Sequence, residues 1–158
     1  MFRRTILTSL LLGLLALGAT AQARPGESAV ATASASDGAP ATVDVVVIHA
    51  TNKGEVDKRL GSLEKTLLRA FKGYLGFTLL SEEKVKLASE QAHHMALPNG
   101  TELDFKYLGE EDGFLRLHLE VGGLKSTVRV KSGSTFFQAG RGYKDGMIVL
   151  AFQAKTGG

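Results

Sequence analysis

The chain has 158 residues, 19 Lys and Arg against 16 Asp and Glu, a formal net charge of +3 and no cysteine. The missing cysteine excludes disulfide staples, thiol chemistry, Cys-ligated metal and a lipid anchor on a cleavage-site cysteine. Part of the basic excess is Arg3 and Arg4; without them 17 basic residues face 16 acidic ones, and a general nucleic-acid role loses its support in bulk charge.

Those two arginines open the chain as a short positive segment, Met1-Phe2-Arg3-Arg4. An apolar run from Ile6 to Ala19 follows, and then the small residues Ala19-Thr20-Ala21-Gln22-Ala23. This layout predicts a cleavable secretory signal over residues 1–23, cut after Ala21 or Ala23, with Ala23 favoured because it leaves the polar Arg24-Pro25-Gly26 as the new start. The run is shorter than the roughly 20 apolar residues that span a bilayer, and Gly13 and Gly18 interrupt it. Residues 24–41 are rich in Ala, Ser, Thr, Gly and Pro, with Val30 as the only large apolar residue. Such a segment buries too little surface to offset its ordering entropy, and it reads as a spacer ahead of a single β-rich domain over 42–156.

The domain opens on Val43-Asp44-Val45-Val46-Val47-Ile48, which is apolar on both parities. That pattern predicts a strand covered on both faces. After Thr51-Asn52-Lys53-Gly54, apolar residues at 56, 60, 63, 67, 71 and 74 draw one stripe of helical period. They predict an amphipathic helix over 56–74, stopped by Gly73 and Gly76.

From Phe77 the period changes to two. Phe77–Leu80 reads as a short strand, and the Ser81–Gln91 stretch as strand on the alternation of Val85 and Leu87 with lysines, although Ser81-Glu82-Glu83 would also suit a helix cap. Pro98-Asn99-Gly100, Glu111-Asp112-Gly113, Gly122-Gly123 and Lys131-Ser132-Gly133-Ser134 punctuate alternating segments as turns. Met147–Phe152 is a second run apolar on both parities. The expected fold is α+β and predominantly antiparallel β: a sandwich or partly open barrel of about eight or nine strands with one helix packed on it. The two doubly apolar strands are expected side by side at its centre.

No constellation for catalysis stands out. The chain has no G-x-S-x-G, H-E-x-x-H or P-loop phrase. Its histidines are His49, His93, His94 and His118. Neighbouring His93 and His94 point to opposite faces of a strand, so a shared metal would need His49 or His118 and a carboxylate such as Glu90 beside one of them. Neither a metal nor a cofactor is expected. His118 alternates with Arg116 and Glu120 on a solvent-facing parity, as an ordinary cross-strand polar residue.

Two surface features offer binding. Lys58, Lys65, Arg69 and Lys72 would line one stripe of the helix away from its apolar seam, suited to lipid headgroups, an acidic polysaccharide or an acidic partner. The ordinary reading of such a stripe is a solvated face, with Glu64 pairing locally. The glycine-rich segment Gly133–Gly146 places Phe137, Arg141 and Tyr143 near turns, where exposed aromatics would form a recognition patch. Its ordinary reading is a connection between strands.

The run Ser126–Gly140, with Lys131-Ser132-Gly133-Ser134-Thr135 at its middle, resembles a strand–Gly-x-Thr–strand phrase of β-domains in bacterial envelope proteins, secretin-type outer-membrane proteins among them. The membrane-spanning hairpins and repeated domains of secretins have no counterpart here, so their function is not implied. The whole layout, with its Ala/Ser spacer, Val45-Val46-Val47-Ile48-His49-Ala50-Thr51-Asn52-Lys53-Gly54, helix, Leu97-Pro98-Asn99-Gly100 and glycine-rich last hairpin, is similar to small uncharacterised exported β-rich proteins of Gram-negative bacteria. That resemblance implies an envelope setting and carries no catalytic residue across. The expectation is a non-enzymatic, monomeric protein of the periplasm, or else of the medium. It would bind another envelope protein or assist an assembly, or alternatively bind an anionic lipid headgroup or polysaccharide through the basic helix face.

Overall fold

Strand alternation becomes tertiary structure in the computed structural model, which describes residues 38–157. The expected signal at 1–23 and all of the spacer before residue 38 lie outside the described residues. Ala41, assigned to the spacer, is instead the first residue of a strand and is fully buried.

Eight antiparallel strands form two four-stranded sheets. They are β1 (Ala41–Thr51), β2 (Gly76–Leu87), β3 (Ala92–Ala96), β4 (Glu102–Glu111), β5 (Phe114–Val121), β6 (Leu124–Lys131), β7 (Thr135–Tyr143) and β8 (Gly146–Thr156). The first sheet has the order β2-β1-β8-β7 and the second β3-β4-β5-β6. The two doubly apolar segments are β1 and β8, paired along their whole length from Ala41–Thr156 to Thr51–Gly146. The expected central pair, with both ends of the domain in one sheet, is therefore what forms.

Their double apolarity has a simple cause. Val43, Val45, Val47, Leu150 and Phe152 face the second sheet and join Phe105, Tyr107, Leu115, Leu117 and Leu119 in the main core. Ile48, Ala50, Val149 and Ala151 face the other way and pack under a helical segment with Leu60, Leu67 and Phe77. Strands β4 and β5 have only one covered face, so they alternate cleanly between buried and partly exposed residues. In the main core, the Tyr107 hydroxyl is buried without a hydrogen-bond partner, and burial raises its pKa.

Turn chemistry accounts for the hairpins. Asp112 and Gly113 both have positive φ, at 52° and 75°, and so do Gly122 and Gly123, at 54° and 85°. Two such residues match the right-handed twist of the strands they join. In β2 the pairing with β1 shifts between Val47 and Ile48, leaving Leu80 as an extra residue. The odd residues Phe77 and Leu79 face the helical side, whereas Val85 and Leu87, beyond the bulge, face the main core. That parity change explains why the sequence reads as two short strands where one long strand exists.

The expected helix over 56–74 does not form as one element. Val56 bridges to Phe77, a 3-10 turn occupies Lys58–Leu60, and a short helix α1 covers Glu64–Ala70. Gly61 ends the 3-10 turn, its N–H donating to the Lys58 carbonyl. Glycine in a helix interior costs about 1 kcal/mol relative to alanine, which favours a break at Gly61-Ser62. The apolar stripe still points inward: Leu60 and Leu67 are buried, and Val56, Leu63, Phe71 and Tyr74 pack beside them. Periodicity therefore identified the buried side chains and overstated the continuity of the backbone.

Candidate functional site

The outer faces of the two sheets differ in how far their polar groups satisfy one another. On the second sheet, His94 Nδ1 donates to Asp104 at 2.9 Å, and Lys125 lies 3.3 Å from Glu120. Lys106 pairs with Glu90, and Arg116 and Arg129 reach Glu111 and Asp112 at 3.5 and 3.6 Å. His118 hydrogen-bonds Thr127 at 3.1 Å, the cross-strand role its parity suggests. The bond to Asp104 raises the His94 pKa. These pairs neutralise most of the charge on this face.

The outer face of the first sheet is divided. Its half nearest Thr51 is apolar and lies under the helical segment. The other half carries Asp44, Lys84, Gln153, Lys155 and Thr135, and between the halves runs a groove of about 490 Å³. Val46, Leu79 and Ala151 give the groove an apolar floor, and Arg59, Leu60, Ser62 and Leu63 form its lip. It touches all four strands, from Glu82 on β2 to Thr135 on β7.

Asp44 is the one buried charged residue among the described residues. Its strand places it opposite Lys84 on β2 and Gln153 on β8. Lys84 Nζ lies 3.1 Å from Oδ1, and Lys155 Nζ lies 4.0 Å from Oδ2. Oδ1 is enclosed, and its contact with Lys84 is an ion pair rather than a directed hydrogen bond. Glu82, exposed at one end of the groove, has no ion-pair partner among the described residues. The groove thus combines an apolar wall with an Asp44 held by two lysines and an exposed Glu82 that has no ion-pair partner among the described residues.

The lip is held by Asp57. Its carboxylate accepts from the Arg59 backbone N–H at 3.0 Å, from Arg59 Nη2 at 2.6 Å and from the Leu79 N–H at 3.3 Å. Arg59 also donates to the Leu79 carbonyl. These contacts tie the 3-10 turn to β2. The Arg59 side-chain bond, then the Arg59 backbone bond, lower the Asp57 pKa from 3.8 to about 2. A depressed carboxylate pKa gives stability that is complete above the unfolded value and is lost as pH falls through the folded one. The lip contacts are therefore expected to loosen between pH 3.8 and about 2. The amide resonances of Arg59 and Leu79, followed by NMR, should show an inflection near the lower value, absent in Asp57→Asn. An inflection at 3.8 would mean that Asp57 does not hold the lip.

The histidines do not gather. His93 faces the main core beside Phe105 and donates to Glu83 at 2.6 Å, joining β3 to β2 at the open seam between the sheets. His94 points the other way, as their adjacency on a strand requires. His49 Nε2 donates to the Tyr143 carbonyl at 3.1 Å and lies 3.5 Å from Asp145. Among the described residues no three His, Asp or Glu converge on one point.

The basic stripe is only partly a line. Lys65 and Arg69 share the exposed side of α1, Lys72 lies just past its end, and Lys58 stands apart in the 3-10 turn. All four are exposed, and none forms an ion pair among the described residues. Glu64 makes no local pair with them. The glycine-rich segment is more than a connection between strands: residues 135–143 are strand β7. Phe137 is half-buried against Phe71, with ring centroids 5.9 Å apart, and Tyr143 packs edge-on against His49 at 5.0 Å. Arg141 is exposed and donates to the Gly122 carbonyl at 3.0 Å. Phe137 and Tyr143 are thus packing residues, and the three form no common patch.

Sequence reading did not find the groove. Asp44 inside a run of valines was its one visible trace: a charge in a doubly covered strand must meet a partner or an opening.

A scan against protein-family models and searches of curated proteins and of solved structures each found no match.

Proposed function

We propose that this is an exported, non-enzymatic binding module of the cell envelope, which holds an extended segment of another protein in the groove beside the helical lip. The amphipathic character of the groove carries this reading: apolar Val46, Leu60 and Leu63 share its lining with the exposed Glu82 carboxylate and the exposed Lys84 and Lys155. An extended segment supplies both kinds of contact, since apolar side chains fill the wall while a backbone N–H, a lysine or an arginine meets the Glu82 carboxylate. The export setting rests on the positive start, the Ile6–Ala19 run and the small residues after it. It places the protein in the periplasm or, after further export, the medium.

Photo-crosslinking in the envelope tests the proposal. A crosslinker at Gln153, in the groove, is expected to give a discrete protein adduct, and one at His118, on the second sheet, none. Gln153→Trp, which puts a bulky ring across the groove, should weaken capture by about ten-fold, or 1.4 kcal/mol. Equal adducts from both positions, or none from Gln153, would sink the proposal. Circular dichroism and the denaturation midpoint of Gln153→Trp check that the fold is intact.

A further inference from the structure

The solvent side of α1 carries more than charge. Among the described residues three large apolar side chains are exposed: Leu68 at 39 %, Leu75 at 59 % and Leu124 at 60 %. Two of the three belong to the segment that bears the unpaired basic residues. Lys65, Leu68 and Arg69 follow the spacing i, i+3 and i+4, which sets them on one side of α1, and the exposed Lys72 lies just past its end. Leu67 and Phe71 lie on the opposite side, packed against the sheet. Leu75 follows three residues after Lys72. Between residues 64 and 75 the only carboxylate is Glu64, at the first position of α1.

We propose that this crest rests on an anionic phospholipid bilayer, with Lys65, Arg69 and Lys72 against the headgroups and Leu68 and Leu75 dipping into the interface. Basic side chains alone would suit any polyanion. Exposed leucines among them gain nothing from a hydrated polysaccharide but are stabilised at the headgroup–acyl boundary. No residue of the crest lines the groove. The two surfaces are therefore separate, and the protein would be held at a membrane while its groove stays open to a partner. With three basic groups and two leucines, attachment is reversible and sensitive to salt.

The experiment uses the processed protein purified after export and vesicles of two compositions, one containing an anionic phospholipid and one wholly zwitterionic. The protein should co-sediment with the anionic vesicles and be released by salt. Lys65→Glu with Arg69→Glu should weaken that binding at least about thirty-fold, from roughly 1 kcal/mol per basic residue at a charged surface. Leu68→Ser with Leu75→Ser should weaken it about ten-fold at unchanged charge. Gln153→Trp in the groove should leave it unaltered, so failure of the groove and failure of the crest are read separately. The proposal is overturned if the protein does not bind anionic vesicles, if the leucine pair makes no difference, or if an anionic polysaccharide retains the protein where vesicles do not. Lys65, Leu68, Arg69 and Leu75 are all exposed, and an unchanged circular dichroism spectrum confirms that each variant is folded.

Discussion

Phe152→Ala is expected to lower the free energy of unfolding by about 3 to 5 kcal/mol, the usual cost of emptying a fully buried aromatic site. Phe152 sits on β8, next to the central strand β1 and opposite Val45. It is fully buried. Its ring stacks on Phe136 of β7 at 5.0 Å with an angle of 8°, and meets Phe105 of β4 edge-on at 6.1 Å. It therefore joins neighbouring strands of one sheet and also the two sheets to each other. Truncation removes its own buried surface, both ring contacts and the support beneath Val45. A domain of this size has about 5 to 15 kcal/mol in total, so the variant would sit near the limit of folding. Urea denaturation followed by circular dichroism measures the loss. A decrease under about 1 kcal/mol would show that the two sheets do not meet as described.

Gly146→Ala tests the same central pair at its other end. Gly146 opens β8 opposite Thr51. A methyl group there would overlap the Ala50 carbonyl oxygen and come within 3.1 Å of His49 Nε2. The obstacle is backbone, so relief requires opening the β1–β8 ladder. We expect a loss of about 3 kcal/mol or more, at the upper end for adding one carbon to a packed site. Gly133→Ala provides the contrast. Gly133 has φ +79° with nothing within 4 Å of the added carbon. Its cost should be only the left-handed backbone penalty of about 1 kcal/mol. Equal costs at the two positions would place the difficulty at Gly146 in backbone conformation, and close packing against β1 would have to be abandoned.

Both variants bear on the groove because β1 and β8 supply Val46 and Ala151 to its floor. Val46 and Ala151 are cross-strand partners and together line it. A groove crossing four strands keeps its shape only while their register holds. The lip is held more sparsely, since its ties to the sheet are the Val56 bridge, the contacts of Asp57 and Arg59 with Leu79 and a few apolar side chains. A protein partner that enters the groove would meet a rigid floor and a more yielding lip.

Much of the β framework was legible in the chain. Asp112-Gly113 and Gly122-Gly123 need no distant information to turn, because their positive φ is a local preference. The alternation of β4 and β5 reports one covered face, and the double apolarity of β1 and β8 reports two. The helix was partly misread because periodicity measures which side chains face inward and is blind to a backbone break at Gly61-Ser62. Most of strand β7 reads in the sequence as a connection between strands because its glycines look like turn residues. Gly140 and Gly142 instead lie at an irregularity in the β7–β8 pairing, and a side chain at 140 would press on the Ile148 carbonyl.

The candidate sites divide along the same line. The basic residues of α1 were visible as spacing, since a helix brings near neighbours in sequence onto one side. That Leu68 and Leu75 stand exposed among them was not visible, because exposure depends on what the sheet leaves uncovered. The groove was hidden for a stronger reason. Glu82, Asp44, Gln153 and Thr135 come from four strands, and only the registers of β2, β1, β8 and β7 bring them to one surface. By itself the sequence determined strand parity, turn positions, the lack of disulfides and the near balance of charge past Arg4, all of which are local or summed properties. Tertiary structure alone decided which charges find partners, because pairing across strands depends on register between segments far apart in the chain.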